Sequence, residues 1–196
     1  MQTFLLLIDR VNTWVGKTFA WAIVLLTIQV TYEVMMRYLF NSPTNWGFDA
    51  SYMLYGALFM MAGAYTLARN GHVRGDFLYR NFGVRGQAWM DLILYFLFFF
   101  PAIFAFIYYG YSFARLSWLI NEHSMFSPAG LLIWPFKALI PVAGILLLLQ
   151  GVAEVIRCVI AIRTGRWPDR LHDVEETERI ILEHANKAAA GEEAVR

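Results

Sequence analysis

Charge is what this sequence most lacks. Only 16% of its 196 residues are Asp, Glu, Lys or Arg, against about 25% in a typical soluble domain. With 59% apolar residues and a formal net charge of +1, the chain suits neither water nor a polyanion such as nucleic acid. Cysteine is nearly absent. The single Cys158 excludes an internal disulfide and any multi-cysteine metal site, and is expected to pack as a small buried hydrophobe. No phosphate-binding loop, dinucleotide fingerprint, HExxH or GxSxG motif occurs, and no candidate nucleophile has a base at recognisable spacing, so an enzyme is not expected. His72, His123, His172 and His184 all fall outside the apolar runs, which argues against haem held between helices.

What remains is apolar and long. The spacing predicts an all-α membrane protein with four transmembrane helices over about 14–39, 46–68, 89–111 and 134–160, together forming one domain, 14–160. The first run of 26 residues exceeds a signal-peptide core of about 7–15 residues and is followed by no small-residue cleavage site, so it reads as uncleaved. Residues 1–13 place Phe4, Leu5, Ile8 and Val11 at helical spacing, as in an interfacial amphipathic helix. Residues 111–133, too polar to span, are expected to form a second such helix on the outer surface, ending before Ser127-Pro128. Pro101 is a candidate kink, and Lys137 can snorkel outward at the start of the fourth span. Past Pro168 the charges multiply, giving a tail, 161–196, that is partly helical.

Lys and Arg near the span ends set the orientation. Arg10, Lys17, Arg69, Arg74, Arg80, Arg85, Arg157, Arg163, Arg166 and Arg170 lie on one side, and only Arg37, Arg115 and Lys137 on the other. Both termini are therefore expected in the cytoplasm. Trp14, Trp46, Trp89, Trp118, Trp134 and Trp167 fall near the predicted interfaces.

Polar residues at the edges of the first hairpin are the candidates for function, because a charge at a helix centre costs roughly 2.5–3.5 kcal/mol on insertion scales. Glu33 and Arg37 are four apart, in the order that favours a pair along one helix face. Arg37 could instead reach a carboxylate on a neighbouring helix. Trp46 and Asp49 open the second span, where Asp49 can serve the helix dipole or pair with Arg37 across the turn 41–45. His72, Arg74 and Asp76 mark the inner loop. The run midplanes are apolar with Gln29 as the main exception, which suits packing against another membrane protein better than a self-contained transport path. Gly56 and Gly63, and Gly144 and Gly151, are spaced seven apart as helix-packing stripes.

The run Arg37-Tyr38-Leu39-Phe40-Asn41-Ser42-Pro43, then Trp46 with an acid three residues on, then His72-Val73-Arg74-Gly75-Asp76, resembles the DctQ-type small membrane subunit of TRAP transporters, the tripartite ATP-independent periplasmic uptake systems. The resemblance covers about residues 14–160. It implies four spans in the bacterial inner membrane, no cofactor on this chain, and a larger membrane partner that carries the substrate and sodium sites. A periplasmic solute-binding protein would deliver an organic acid, and this chain would act as a scaffold for sodium-driven symport. The family commonly has two acids after the tryptophan; here Phe48 precedes Asp49, so a role needing both is not supported. Asn121-Glu122-His123-Ser124, Ser127-Pro128 and Trp134-Pro135-Phe136-Lys137 look similar to the longer small subunits associated with 2-oxo or 2-hydroxy monocarboxylates. A small homo-oligomeric exporter or channel using Glu33, and a redox-enzyme anchor, are the competing readings.

Overall fold

The computed structural model describes residues 2–71, 79, 82–168 and 170, and among them the fold is all-helical. Helix α1 (Gln2–Ala20) runs through Trp21 into α2 (Ala22–Tyr38). Trp21 keeps helical dihedrals, and its carbonyl accepts from Val24 N at 3.1 Å and Leu25 N at 3.2 Å. The two form one rod of 37 residues, about 55 Å long at 1.5 Å per residue. The boundary expected after residue 13 is not seen. Val11-Asn12-Thr13-Trp14 contains neither Gly nor Pro to stop a helix, and Asp9 and Asn12, two of the three polar residues at 9–12, are buried against another helix while Arg10 is exposed.

Asn41, in the left-handed region at φ 50°, turns the chain into α3 (Gly47–Ala68). Asn70 ends α3 with φ 56°, bringing Gly71 N to Thr66 O at 2.9 Å and Asn70 N to Leu67 O at 3.2 Å, the two bonds of a Schellman cap. The third rod is α4 (Val84–Leu94), a π turn (Tyr95–Phe99) and α5 (Phe100–Leu119). Pro101 stands two residues past that turn; lacking an N–H and pushing on the carbonyl four residues back, it widens the helix locally.

The outer amphipathic helix expected over 111–133 does not form. Tyr111–Leu119 simply continues α5, since nothing there breaks a helix, and Asn121 at φ 47° ends it. Residues 120–133 fold back as a loop, with Ser124 N bonded to Leu131 O at 2.8 Å and Ile133 N to Glu122 O at 3.0 Å. The last rod, α6 (Trp134–Thr164), contains Pro141 and ends at Gly165, φ 74°. Cys158 lies buried beside Ala88 and Ala161.

Helix α6 is central, with α4–α5 on one flank and α3 on the other, while α1–α2 packs along α3. Three helices, Gln2–Tyr38, Val84–Leu119 and Trp134–Thr164, are long and apolar enough to cross a membrane. The most apolar stretch of Val84–Leu119 has no buried residue; Phe96, Leu97, Tyr108 and Tyr109 all point outward, as lipid contact requires. Close helix approach occurs where a side chain is missing. A Cβ on Gly151 would sit 2.2 Å from Phe99 Cε1, one on Gly144 2.6 Å from Ile107 Cγ1, and one on Gly56 2.5 Å from Phe136 Cζ. At Gly63 the nearest atom would be a comfortable 3.7 Å away. Two further close approaches, Gly16 against Tyr65 and Gly110 against Ile140, lack the seven-residue spacing.

Overpacking at the α6 crossing should be costly. Gly151→Val is expected to destabilise the chain by about 1–3 kcal/mol, read as a lower melting temperature in detergent, whereas Gly63→Ala should melt within error of the wild type.

Candidate functional site

Two polar clusters occupy opposite ends of the bundle. At the outer turn, Glu33 projects from the last turns of α2 and accepts from Arg37 Nη2 at 2.7 Å, from Thr44 N at 3.1 Å and from Thr44 Oγ1. Thr44 Oγ1 in turn accepts from Gly47 N at 3.1 Å, capping α3. One turn deeper, Gln29 Nε2 donates to Gly47 O at 2.9 Å, and Ser51 Oγ lies 2.7 Å from Gln29 Oε1. Trp46 stacks on Tyr32 with ring centroids 6.3 Å apart. Glu33 thus fastens its own helix to the start of the next.

Asp49 does not pair with Arg37. It is fully buried and points to the loop after α5, where Ser124 Oγ donates to its Oδ1 at 2.6 Å while Oδ2 has no partner among the described residues. Ser124 Oγ also accepts from Phe126 N at 3.1 Å, and Ala129 N bonds to Asn45 O at 3.1 Å. The outer turn and the outer loop are therefore one unit. The loop is anchored again where Lys137 Nζ meets Glu122 Oε2 at 2.5 Å and lies 3.9 Å from the Phe113 ring centroid. Lys137 folds inward onto these partners instead of snorkelling away. The hydrogen bond from Lys137 holds the Glu122 carboxyl below its ordinary value.

The inner cluster joins α1, α6 and the segment beyond α6. Arg157 Nη2 donates to Asp9 Oδ2 at 2.5 Å and Nη1 to Glu154 Oε1 at 2.6 Å. Gln150 Nε2 reaches Asp9 Oδ1 at 2.9 Å and Glu154 Oε1 at 3.1 Å, and Asn12 Nδ2 donates to Gln150 Oε1 at 2.7 Å. Arg170 Nη2 completes it, donating to Glu154 Oε2 at 2.7 Å. Asp9, Asn12, Gln150, Glu154 and Arg157 are each at most 2% exposed. Two carboxylates thus face two guanidinium groups in a dry site. Sequence reasoning missed this cluster. Asp9 falls in the stretch 1–13 expected at the membrane surface, and Glu154 and Arg157 in the last turns of the fourth expected span, 134–160. The available signal was spacing: Gln150, Glu154 and Arg157 share one helical face, as do Asp9 and Asn12.

His72, Arg74 and Asp76 lie outside the described residues. Beside them, Tyr79 OH donates to Asp91 Oδ2 at 2.9 Å and Gln87 Nε2 to Phe82 O at 3.0 Å, fastening the chain to α4. Among the described residues no three His, Cys, Asp or Glu side chains converge as metal ligands. The clusters bind helices and loops to one another and present no nucleophile with a base.

A comparison with family models gives a match over residues 26–161 to tripartite ATP-independent periplasmic transporters, DctQ component. The chain belongs to the DctQ family. It is accordingly a small membrane subunit of a TRAP transporter, and a multi-pass membrane protein. No individual curated protein matches the chain. The DctQ match holds the whole outer cluster, but of the inner one only Gln150, Glu154 and Arg157; Asp9, Asn12 and Arg170 fall outside it.

Two outcomes follow. Arg157→Met leaves the buried Asp9 without its cation and Glu154 with Arg170 alone, so a loss of about 3–5 kcal/mol is expected, read as poor membrane accumulation and a sharply lower melting temperature. The Glu122 tie has the opposite pH sense to a cationic switch: a lowered folded-state pKa stabilises above the ordinary carboxylate value of 4.5 and is lost as pH falls through it and below. Glu122→Gln should therefore flatten the fall in melting temperature as pH drops below about 4.5.

Proposed function

We propose that this DctQ-family chain is a static scaffold for the large membrane subunit of its transporter. In this reading α3, with 22 residues or about 33 Å of helix, is the fourth span, and both termini are cytoplasmic as the Lys and Arg asymmetry requires. The large subunit carries the substrate and sodium sites, a periplasmic binding protein delivers an organic acid, and an ion gradient drives uptake. The loop signature around Glu122 and Lys137 favours a 2-oxo or 2-hydroxy monocarboxylate. This chain needs no cofactor and performs no enzymatic step.

The observation that carries the proposal is how the buried charges are used. Glu33 is held by Arg37 and Thr44, Asp9 and Glu154 by Arg157, and Glu154 again by Arg170. These groups fix helices in place. A proton or cation path along this chain would require them to be released, at a cost of several kcal/mol for the dry pairs. Glu33 in particular lies near the outer end of its rod and accepts three hydrogen bonds, which disfavours the exporter reading.

Purification of the tagged chain from native membranes in mild detergent should bring a stoichiometric many-span partner, and the chain alone in liposomes should not transport. Arg37→Ala should reduce assembly and uptake while leaving substrate preference unchanged. Transport by the chain alone, abolished by Glu33→Gln, would overturn the scaffold reading.

A further inference from the structure

The inner half of the first rod carries a second stripe besides its buried face. Arg10, Trp14, Lys17 and Trp21 recur at three- and four-residue spacing, so they share one side of the helix, and all four are exposed. Ile8 packs toward α6 beside Ala153, whereas Arg10 and Lys17 lie on the opposite flank of α1, where the neighbour is α3. Gly16 holds that neighbour close: a Cβ added there would come within 2.5 Å of Tyr65 Cβ. Arg69 stands one turn past Tyr65, its guanidinium carbon 4.9 Å from the Tyr65 ring centroid. Because α1 and α3 run in opposite directions, Arg69 is level with Asn12 and Thr13, between Arg10 and Lys17. Three cations from two elements thus meet the inner end of the α1–α3 seam within about 11 Å of helix rise.

No carboxylate of these helices answers the three. Among residues 2–32 the only acid is Asp9, already taken by Arg157, and residues 50–71 contain none. Arg10, Lys17 and Arg69 form no ion pair among the described residues. Arg69 Nε is enclosed without an acceptor, so the charge of that guanidinium is met from its outer nitrogens, in a plane set by the Tyr65 ring. Depth then identifies the ligand. Lys17 lies 20 residues from Arg37 on the same rod, about 30 Å, which is the thickness of a hydrocarbon core. With Arg37 at the outer edge of that core, Lys17 is at the inner edge and Arg10 reaches the head-group layer. We propose that the seam binds one anionic phospholipid of the inner leaflet, its phosphate between Arg69 and Lys17, its head group toward Arg10 and an acyl chain along Trp21. Guanidinium N–H groups suit phosphate oxygens, and unpaired positive charge on the cytoplasmic side selects an anionic lipid over a zwitterionic one, whose ammonium it repels. Leu7, Val11, Trp14 and Trp21 continue the outward apolar face around the cations. A phospholipid matches both the charge and that face, whereas an acidic side chain of the large subunit matches only the charge.

The inference rests on the reading of α3 as a membrane span with its Arg69 end in the cytoplasm, but not on the transport partner. The test titrates the full chain, purified in mild detergent, with dioleoyl phosphatidylglycerol or dioleoyl phosphatidylcholine and counts bound lipid by native mass spectrometry. Phosphatidylglycerol should bind about tenfold more tightly than phosphatidylcholine. Arg69→Gln and Lys17→Gln should each weaken phosphatidylglycerol about fivefold, the worth of one basic residue near anionic lipid, and leave phosphatidylcholine unchanged. Arg85, an exposed cation on α4, lies on the other flank of α6, so Arg85→Gln should bind as the wild type does. Equal affinity for the two lipids, or an equal loss in Arg85→Gln, would overturn the site in favour of diffuse attraction to the membrane surface.

A second measurement uses the wild type alone and does not depend on those variants folding. A ligand of the folded chain raises its melting temperature, so phosphatidylglycerol should raise it in detergent while phosphatidylcholine does not. Glycerol 3-phosphate, the same anion without acyl chains, should leave it unchanged; an equal rise would show a site for a soluble phosphate and overturn the lipid. In the complex purified from native membranes, phosphatidylglycerol should be retained at one per chain. Its absence there would show that an acidic segment of the large subunit occupies the seam, and would overturn the assignment. Phosphatidylglycerol binding by a chain that captures no large partner would uphold this site while removing the scaffold proposal.

Discussion

The guanidinium of Arg157 is the contact on which the arrangement of rods depends. A buried cation costs several kcal/mol unless it is paired and hydrogen-bonded, and its pairs come from two separate places: Asp9 on α1 and Glu154 one turn earlier on α6. Satisfying Arg157 therefore fixes α1 against α6 in one register. Because α1 and α2 form one rod, that register is carried along it. Gln29 stands 20 residues from Asp9, about 30 Å away, and meets Gly47 at the start of α3. A slip of one turn at the inner end would move Gln29 and Glu33 off their partners at the outer end. The two clusters are thus a single constraint read at both ends of one rod.

The ends nevertheless differ in kind. The inner cluster is charge-balanced and dry, and it ties α1 to the distant α6 and to the segment just beyond α6. The outer cluster consists mostly of hydrogen bonds between helix ends and loop backbone, with Thr44, Ser51 and Ser124 as adaptors. Between them the rods are held by shape: glycines on α6 and α3 receive Ile107, Phe99 and Phe136. In a bilayer the tails are as apolar as the side chains, so packing of this kind and polar ties must supply what the hydrophobic effect supplies in water. The largely outward-facing aromatic face of α5 is then free for lipid or for a partner helix.

Much of this was legible in the residues, and the exceptions have physical reasons. The turn at 41–45, the start of α3 and the burial of Cys158 follow from Pro43, the capping threonine and the apolar surroundings. Periodicity failed where a helix runs past the membrane interface. Residues 2–13 and 112–119 have interfacial composition, yet they contain no breaker, and a helix already nucleated continues through them at little cost. Asn70 and Asn121 closed helices because asparagine tolerates the left-handed region, a signal present in the sequence but shared with Asn12, which lies within α1 and closes nothing. The inner cluster was invisible for another reason. Its bonded partners lie up to 148 residues apart, and no local pattern shows that Asp9 and Arg157 meet.

That separation bears on how such a subunit is built. The DctQ match begins inside α2 and ends inside α6, so it contains Glu154 and Arg157 but not Asp9 or Arg170. Arg157 and Glu154 could neutralise each other, and the unit inside the match is balanced by itself. Adding α1 brings one more carboxylate, which the pair cannot absorb without a further cation. Arg170, folded back past Gly165 onto Glu154, is that cation. The charge of α1 and the return of the chain after α6 are therefore coupled: the helix that lengthens the first rod can be buried because the segment beyond the last one comes back to balance it.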